Sequence, residues 1–161
     1  MSRIPVTLIA LTVFAATSAS ADDTQAWTTE HRWGGIGGVF LLPEPGELWI
    51  EVEKSDLNRS DQPTFMNCIL FGPDRQVLDE QTIPDDGQGK DSGAGPVQRV
   101  RLSTTVRDIG HYGLMVTVSN DRYGENVAWG FRTNCPRYVV ETSRGHRDAK
   151  HEEPLVLLNP A

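Results

Sequence analysis

Alternation of apolar and polar residues, repeated along the chain, restricts the possible fold more than any other feature. It is clearest in residues 112–118, where Tyr112, Leu114, Val116 and Val118 would share one face of a strand. No stretch shows the sustained spacing of three and four residues that an amphipathic helix requires. The 10 prolines and 15 glycines also interrupt any long helix. The sequence therefore predicts an all-β protein.

Further candidate strands follow one another at nearly regular spacing and are separated by turn residues. They cover residues 46–53, 64–71, 77–83, 97–102, 126–133, 137–142 and 155–158. The continuous apolar run in residues 64–71 predicts a strand that is buried on both faces. About seven or eight short strands of this kind predict an antiparallel, jelly-roll-like β-sandwich.

The N-terminal segment has the pattern of an export signal. Arg3 precedes an apolar run over residues 4–16, and Ala19-Ser20-Ala21 has the small side chains that a signal peptidase accepts. The run is shorter than the roughly 20 apolar residues of a membrane-spanning helix. We expect cleavage after Ala21, no integral membrane segment after cleavage, and a secreted or periplasmic protein.

The rest of the chain divides into three parts. Residues 22–39 form a lead-in that contains glycines and tryptophans, residues 40–142 the sandwich domain, and residues 143–161 a charged connector with a C-terminal strand. Residues 84–96 have no apolar side chain larger than alanine or proline, which predicts a mobile surface loop. The net charge of −7 argues against a nucleic-acid partner, because phosphate binding requires clustered lysine and arginine.

The two cysteines, Cys68 and Cys135, are candidates for a disulfide. An exported chain meets an oxidising compartment, where paired cysteines form bridges. The alternative is two buried thiols that act as small apolar side chains. The export signal favours the bridge.

Acidic loop residues are the candidate metal ligands. Asp85, Asp86 and Asp91, together with Asp56 and Asp61 elsewhere, offer the carboxylate oxygens that calcium prefers. None of them fits a recognised calcium-loop pattern, so a hydrated loop is the alternative. A domain of this size need not depend on a cofactor for its fold; we expect none, with calcium as the alternative.

Histidines near the C-terminus suggest a second metal site. His146, His151 and Glu152 are of zinc-ligand type. Their spacing suits neither one helix face nor one strand face, and neighbouring basic residues repel a cation. A solvated connector is the interpretation that we favour.

Trp49 is the candidate sugar-binding residue. It lies on the strand face opposite Leu48, Ile50 and Val52, where an exposed ring would present a platform for a sugar. The alternative is that another part of the chain covers it.

No strong catalytic motif occurs in the chain. It lacks Gly-x-Ser-x-Gly, and a triad of Ser119, Asp121 and His111 is supported by no motif. We therefore expect no catalytic residue.

Three segments resemble the bacterial pre-peptidase C-terminal domain. They are Gly-Glu-Leu-Trp-Ile-Glu-Val at residues 46–52, Ile-Leu-Phe-Gly-Pro-Asp-Arg-Gln-Val-Leu at residues 69–78, and Asp-Ile-Gly-His-Tyr-Gly-Leu-Met-Val at residues 108–116. The resemblance covers about residues 40–133. The chain departs from the family at Arg75, where glycine is usual, and in its longer, more acidic loop.

The resemblance implies a small, non-catalytic sandwich appended to exported enzymes. We accordingly expect an accessory module that binds an extracellular carbohydrate or a partner hydrolase. Two alternatives are a structural domain at the N-terminus of a larger secreted enzyme and a small metal-dependent hydrolase.

Overall fold

A computed structural model of the chain describes residues 33–121 and 124–141, in which every regular element is a strand. The strands are β1 (Trp33–Gly34), β2 (Gly37–Leu41), β3 (Gly46–Asp56), β4 (Met66–Phe71), β5 (Val77–Ile83), β6 (Gln98–Val106), β7 (Tyr112–Val118), β8 (Val127–Thr133) and β9 (Tyr138–Glu141). No helix that could cross a membrane occurs in this part of the chain. The export signal, Trp27, the histidines of the connector and the candidate strand 155–158 lie outside the described residues.

The strands form two antiparallel sheets, which confirms the predicted β-sandwich. The four-stranded sheet has the order β1-β8-β3-β6, and the five-stranded sheet has the order β5-β4-β7-β2-β9. All the strand pairs are antiparallel. Strands from both ends of the described chain meet in the five-stranded sheet, because β2 pairs with both β7 and β9.

The core lies between the sheets and is built from the inward positions of the alternating strands. On the four-stranded side, Trp33 stacks on Phe131 at 5.6 Å and packs against Trp129 at 5.2 Å between ring centroids. The other buried core residues include Leu48, Ile50, Val52, Leu102, Val127, Val39, Leu41, Met66, Leu70, Ile83, Leu114, Val116 and Val140. The expected inward positions in residues 112–118 are confirmed.

The glycine-rich stretch before residue 40 contributes two strands that the sequence pattern does not reveal. A side chain at Gly37 would bring its Cβ within 2.6 Å of the Trp129 ring. The indole Nε1 of Trp129 donates a hydrogen bond to the carbonyl oxygen of Gly35 at 3.1 Å. Residues 33–39 of the expected lead-in thus belong to the sandwich: Gly37 makes room for the Trp129 ring, and Trp33 packs into the core.

Strand β4 is buried on only one face. Its inward residues Met66, Cys68 and Leu70 are fully covered, whereas Asn67 and Ile69 are half-buried on the other side. The apolar run predicts burial on both faces because Ile69 and Phe71 are apolar. These two side chains instead lie on the outer face of the sheet.

The predicted Cys68–Cys135 disulfide is wrong, since both thiols are free and buried. Through the registers of β4, β7 and β2, Cys68 aligns with Gly37 at the first residue of β2. Cys135 lies beyond the other end of β2: its thiol hydrogen-bonds the carbonyl of Arg137, which pairs with the amide of Leu42. The five residues of β2 extend roughly 16 Å. A disulfide requires Cα atoms within about 7 Å.

Candidate functional site

The outer face of the four-stranded sheet is closed by charged pairs. On this face two N–H groups of Arg132 donate to one carboxylate oxygen of Glu51, at 2.9 and 3.2 Å. Arg99 pairs with Glu53 at 3.2 Å, and the strand register places Arg101 opposite Glu51. Opposite charges alternate across β8, β3 and β6, so the charged side chains of this face are paired with one another.

Trp49 lies on this same outer face, as the sequence predicts, but its ring is covered. Its exposed fraction is 6%, and the Arg101 guanidinium lies 4.4 Å from the ring centroid. Its amide donates to Asn134, and its carbonyl accepts from the Thr133 hydroxyl. A sugar could stack on Trp49 only if Arg101 moved away.

The outer face of the five-stranded sheet is different, because one register row crosses all its strands without a polar side chain. The row is Val139, Phe40, Gly113, Phe71 and Val77, taken from β9, β2, β7, β4 and β5. Four strand spacings make it roughly 19 Å long. We call the four side chains of this row the apolar strip.

Glycine in the centre of the row leaves room for the Phe71 ring. A Cβ at Gly113 would lie 2.2 Å from the tip of the Phe71 ring, so this ring lies over the bare backbone. Phe40 pairs with Gly113 from the opposite side and is 46% exposed, and Val77 is 53% exposed. In the next row Met115, 43% exposed, faces Ile69. Together these residues leave a broad apolar surface open to solvent.

A buried lysine forms the second notable arrangement. Lys54 continues the inward series of Leu48, Ile50 and Val52 on β3, and its exposed fraction is 0%. Its ammonium donates at 2.8 Å to Asp56, also on the inward side of β3.

The ammonium also reaches the other sheet. It donates at 2.7 Å to the carbonyl of Thr64, just before β4, and at 2.8 Å to that of Pro84, just after β5. All three of its N–H groups are thus used, and the lysine links the two sheets at one end of the sandwich.

The predicted calcium ligands meet beside this lysine, although not as the set expected. Within the described residues, Asp56, Asp85 and Asp86 bring carboxylate oxygens within 4.8 Å of one another. Asp91 is exposed and is not part of this group. We call Lys54 and these three aspartates the Lys54 cluster.

Each carboxylate oxygen of the Lys54 cluster accepts a hydrogen bond from the protein. Asp56 accepts from Lys54, from the Asp86 amide and, through a short bond, from the Thr64 hydroxyl. The two oxygens of Asp85 accept from the amides of Thr64 and Gly87. Those of Asp86 accept from the Asn58 side chain and from the amide of Gln88.

These contacts set the ionisation of Asp85. Partial burial opposes its charge, but the amides of Thr64 and Gly87 and the Lys54 ammonium outweigh burial and lower the pKa of its carboxyl. Asp85 therefore stays ionised over the whole physiological range of pH.

The loop of residues 84–96 is held against β3, which contrasts with the predicted mobile loop. Besides the bonds at Asp85 and Asp86, the Asn58 side chain donates to the Gly93 carbonyl and the Asn58 carbonyl accepts from the Asp91 amide. The Gly95 amide donates to the Asp56 carbonyl at 2.7 Å. The composition predicts a hydrated loop because it lacks apolar side chains, yet polar contacts to β3 fix its path.

Two residues of the candidate catalytic triad accept hydrogen bonds from backbone amides. The Ser119 hydroxyl accepts from the Phe65 amide, and Asp121 accepts from the Asn126 amide at 2.8 Å. His111 is exposed. Ser119 thus links the end of β7 to the segment before β4, and Asp121 accepts from the backbone just before β8.

A polar cleft of about 440 Å³ lies at one end of the sandwich, between the turn after β4 and the start of β7. Two of its polar groups hold turns: the Tyr112 hydroxyl donates to the Asp108 carbonyl, and Asp74 accepts from the Gln76 amide. Thr104 and Thr105 of β6 and Arg107 also line the cleft. Pro73 lies against Gly110, where a Cβ would come within 2.6 Å of the proline ring. Two of the segments that carry the family resemblance, residues 69–78 and 108–116, therefore build a corner of the fold.

Sequence reasoning identified Trp49, Asp85 and Asp86 but missed the apolar strip and Lys54. Phe40 lies where no periodicity is visible, and the strip depends on the strand register. Lys54 did have a signal, because it extends the alternation of Leu48, Ile50 and Val52 by one further inward position.

Comparison with known proteins yields no match: no protein-family model, no curated protein and no solved structure matches this chain.

Proposed function

We propose that the protein is an exported, non-catalytic binding module that uses the apolar strip to hold an extracellular polysaccharide. The observation that carries the proposal is the contrast between the outer faces. One is saturated by its own ion pairs, and the other leaves Phe40, Val77 and Met115 about half exposed. Large exposed apolar patches on a folded domain mark interaction sites.

The shape of the strip supports an extended ligand. The row runs perpendicular to the strands for roughly 19 Å, and at Gly113 the Phe71 ring lies over the bare backbone. Aromatic rings bury large area at low conformational cost, and the apolar faces of sugar rings suit such platforms. The strip therefore replaces Trp49 as the surface on which we place the carbohydrate.

The sequence features supply the remaining parts of the proposal. The N-terminal pattern of Arg3, an apolar run and Ala19-Ser20-Ala21 favours export, and the resemblance to pre-peptidase C-terminal domains favours an accessory role beside a hydrolase. The candidate triad residues Ser119 and Asp121 accept hydrogen bonds from the backbone amides of Phe65 and Asn126. An accessory module that keeps an enzyme near its substrate fits these features.

Co-sedimentation with insoluble polysaccharides tests the proposal. Purified protein is mixed with cellulose, chitin, xylan and peptidoglycan, and the bound fraction is measured. We expect binding to at least one of these polymers and a loss of about tenfold with Phe40→Ala, because a phenylalanine contributes roughly 1.5 kcal/mol when it is covered.

Phe65→Ala is the matched control. Phe65 has nearly the same exposed fraction as Phe40, 47% against 46%, but precedes β4 at the end opposite Phe71. Equal losses for the two variants would indicate non-specific adsorption and overturn the proposal. Absence of binding to every polymer would also overturn it.

A further inference from the structure

The Lys54 cluster combines features that are usually found around a bound metal ion. Two main-chain carbonyls, from Thr64 and Pro84, and one carboxylate, from Asp56, point at a single positive charge. Carbonyl and carboxylate oxygens are the ligands of calcium sites in proteins. Here the positive charge belongs to a side chain of the protein itself.

Lys54 is completely buried, and its ammonium uses all its hydrogen-bond donors in this position. Its exposed fraction is 0%, and its three N–H groups have three acceptors at 2.7–2.8 Å. A buried ammonium is retained only where it is paired and hydrogen-bonded, since removal from water is otherwise very costly. Its acceptors come from β3 and from the segments that flank β4 and β5, so one cation bridges both sheets.

The loop of residues 84–96 depends on the same charge. One carboxylate oxygen of Asp56 accepts a hydrogen bond from the Lys54 ammonium. The same oxygen accepts a hydrogen bond from the Asp86 amide at 3.1 Å. The main-chain carbonyl of Asp56 accepts a hydrogen bond from the Gly95 amide. Without Lys54, three carboxylates within 4.8 Å would face one another and two carbonyls would lose their donor.

We propose that Lys54 is the internal structural cation of the protein: it joins the two sheets at one end and holds residues 84–96 on β3, as a bound divalent ion does in a metal site. The proposal is independent of carbohydrate binding. It predicts that calcium is not needed by the natural chain, and that a chain without the ammonium acquires a need for calcium.

Thermal unfolding with and without calcium tests this proposal. For the natural chain we expect the same Tm in EDTA and in about 10 mM CaCl2. Lys54→Met keeps the length of the side chain and removes its charge. We expect it to lower Tm in EDTA by about 10 °C or more, because it leaves an uncompensated buried carboxylate, and calcium should restore about 5 °C or more of this loss.

Lys54→Met/Asp85→Asn is the matched control, in which calcium should no longer raise Tm because one ligand is missing. Magnesium should raise the Tm of Lys54→Met less than calcium does, since it binds irregular oxygen sites poorly. A calcium-dependent rise in the natural chain would overturn the proposal. A folded Lys54→Met that shows no response to calcium would overturn it as well.

A second variant provides a test if Lys54→Met does not fold. Lys54→Met/Asp56→Asn removes both charges of the buried pair, and hydrogen exchange then reports on the loop. We expect the amides of Asp86, Asp91 and Gly95 to lose protection while those of β7 keep theirs. Wild-type protection of the loop amides in this variant would show that the lysine does not hold the loop.

Discussion

The two outer faces of the sandwich are built from the same kind of alternating strand, yet one is closed and the other open. On the four-stranded sheet, Glu51 meets Arg132 and Arg101 covers Trp49. On the five-stranded sheet, Phe40 and Phe71 lie on either side of Gly113 and remain in contact with solvent. Alternation determines which side chains point outward, whereas the register determines whether an outward side chain finds a complementary partner.

The difference has an energetic consequence. The Glu51–Arg132 ion pair on the closed face is partly shielded from water, since the two side chains are only 14% and 12% exposed. Removal of one partner leaves the other poorly solvated. The open face has no such dependence, because Phe40 already contacts water. Substitutions should therefore affect stability on the closed face and binding on the open face.

The largest effect is expected for Arg132→Ala. It removes two hydrogen bonds to a Glu51 oxygen that is partly buried, and should lower the free energy of unfolding by about 2 kcal/mol. Urea denaturation measures this change. Arg107→Ala, which alters an exposed arginine, should stay within about 0.5 kcal/mol. A loss of similar size for both variants would remove the distinction between paired and unpaired positions.

A smaller effect is expected for Arg101→Ala. Loss of the guanidinium above the Trp49 ring should cost about 0.5–1 kcal/mol. The same change should increase the quenching of tryptophan fluorescence by acrylamide, because it uncovers the ring. The increase should vanish when Trp49→Phe is added. Unchanged quenching in Arg101→Ala would mean that other atoms cover Trp49.

Phe40→Ser should change stability least, by at most about 0.5 kcal/mol, since its ring is already about half exposed. Binding of a hydrophobic dye such as ANS should fall, because the centre of the apolar strip is lost. Ile109→Ser is the control for the dye, as Ile109 is 90% exposed but lies in the turn before β7. A destabilisation of 2 kcal/mol by Phe40→Ser would show that the face is not open.

No chemical reaction is expected at Cys68, whose thiol lies in the core beneath the open face. Burial raises the pKa of this thiol to about 12, and burial likewise raises the pKa of Cys135. Ellman's reagent at about pH 8 should therefore label neither thiol in the native protein. In urea without reductant it should label both. Absence of labelling in urea would demonstrate a disulfide, and rapid native labelling of a Cys135→Ser variant would show a loosely packed sheet.

The strands were largely predictable from the sequence, and the exceptions have physical causes. Apolar and polar residues alternate cleanly in residues 112–118 and 126–133, because each strand has one face toward the core and one toward solvent. Strand β2 was not predicted because its glycines give no periodic signal. Glycine is needed at Gly37 because a larger side chain would collide with the Trp129 ring. The disulfide prediction failed because the redox environment alone does not bring Cys68 and Cys135 together.

The candidate sites were predictable only in part. The structure brings Asp85 and Asp86 together with Asp56, which was also among the acidic candidates, but leaves out Asp91 and adds Lys54, which the sequence did not suggest. Trp49 was correctly placed on an outward face, yet its cover by Arg101 depends on the neighbouring strand. The sequence indicates which aromatic residues point outward, but it does not show whether a neighbouring strand covers them.

The sequence by itself determined an all-β chain and the inward positions of most strands, because a period of two residues is a local property of the backbone. The tertiary structure decided the rest. The register set an unbroken apolar row on one sheet and an ion-paired face on the other. Packing of the two sheets brought Lys54 to the carbonyls of Thr64 and Pro84. Both outcomes depend on contacts between residues that are distant in the chain, which no local pattern encodes.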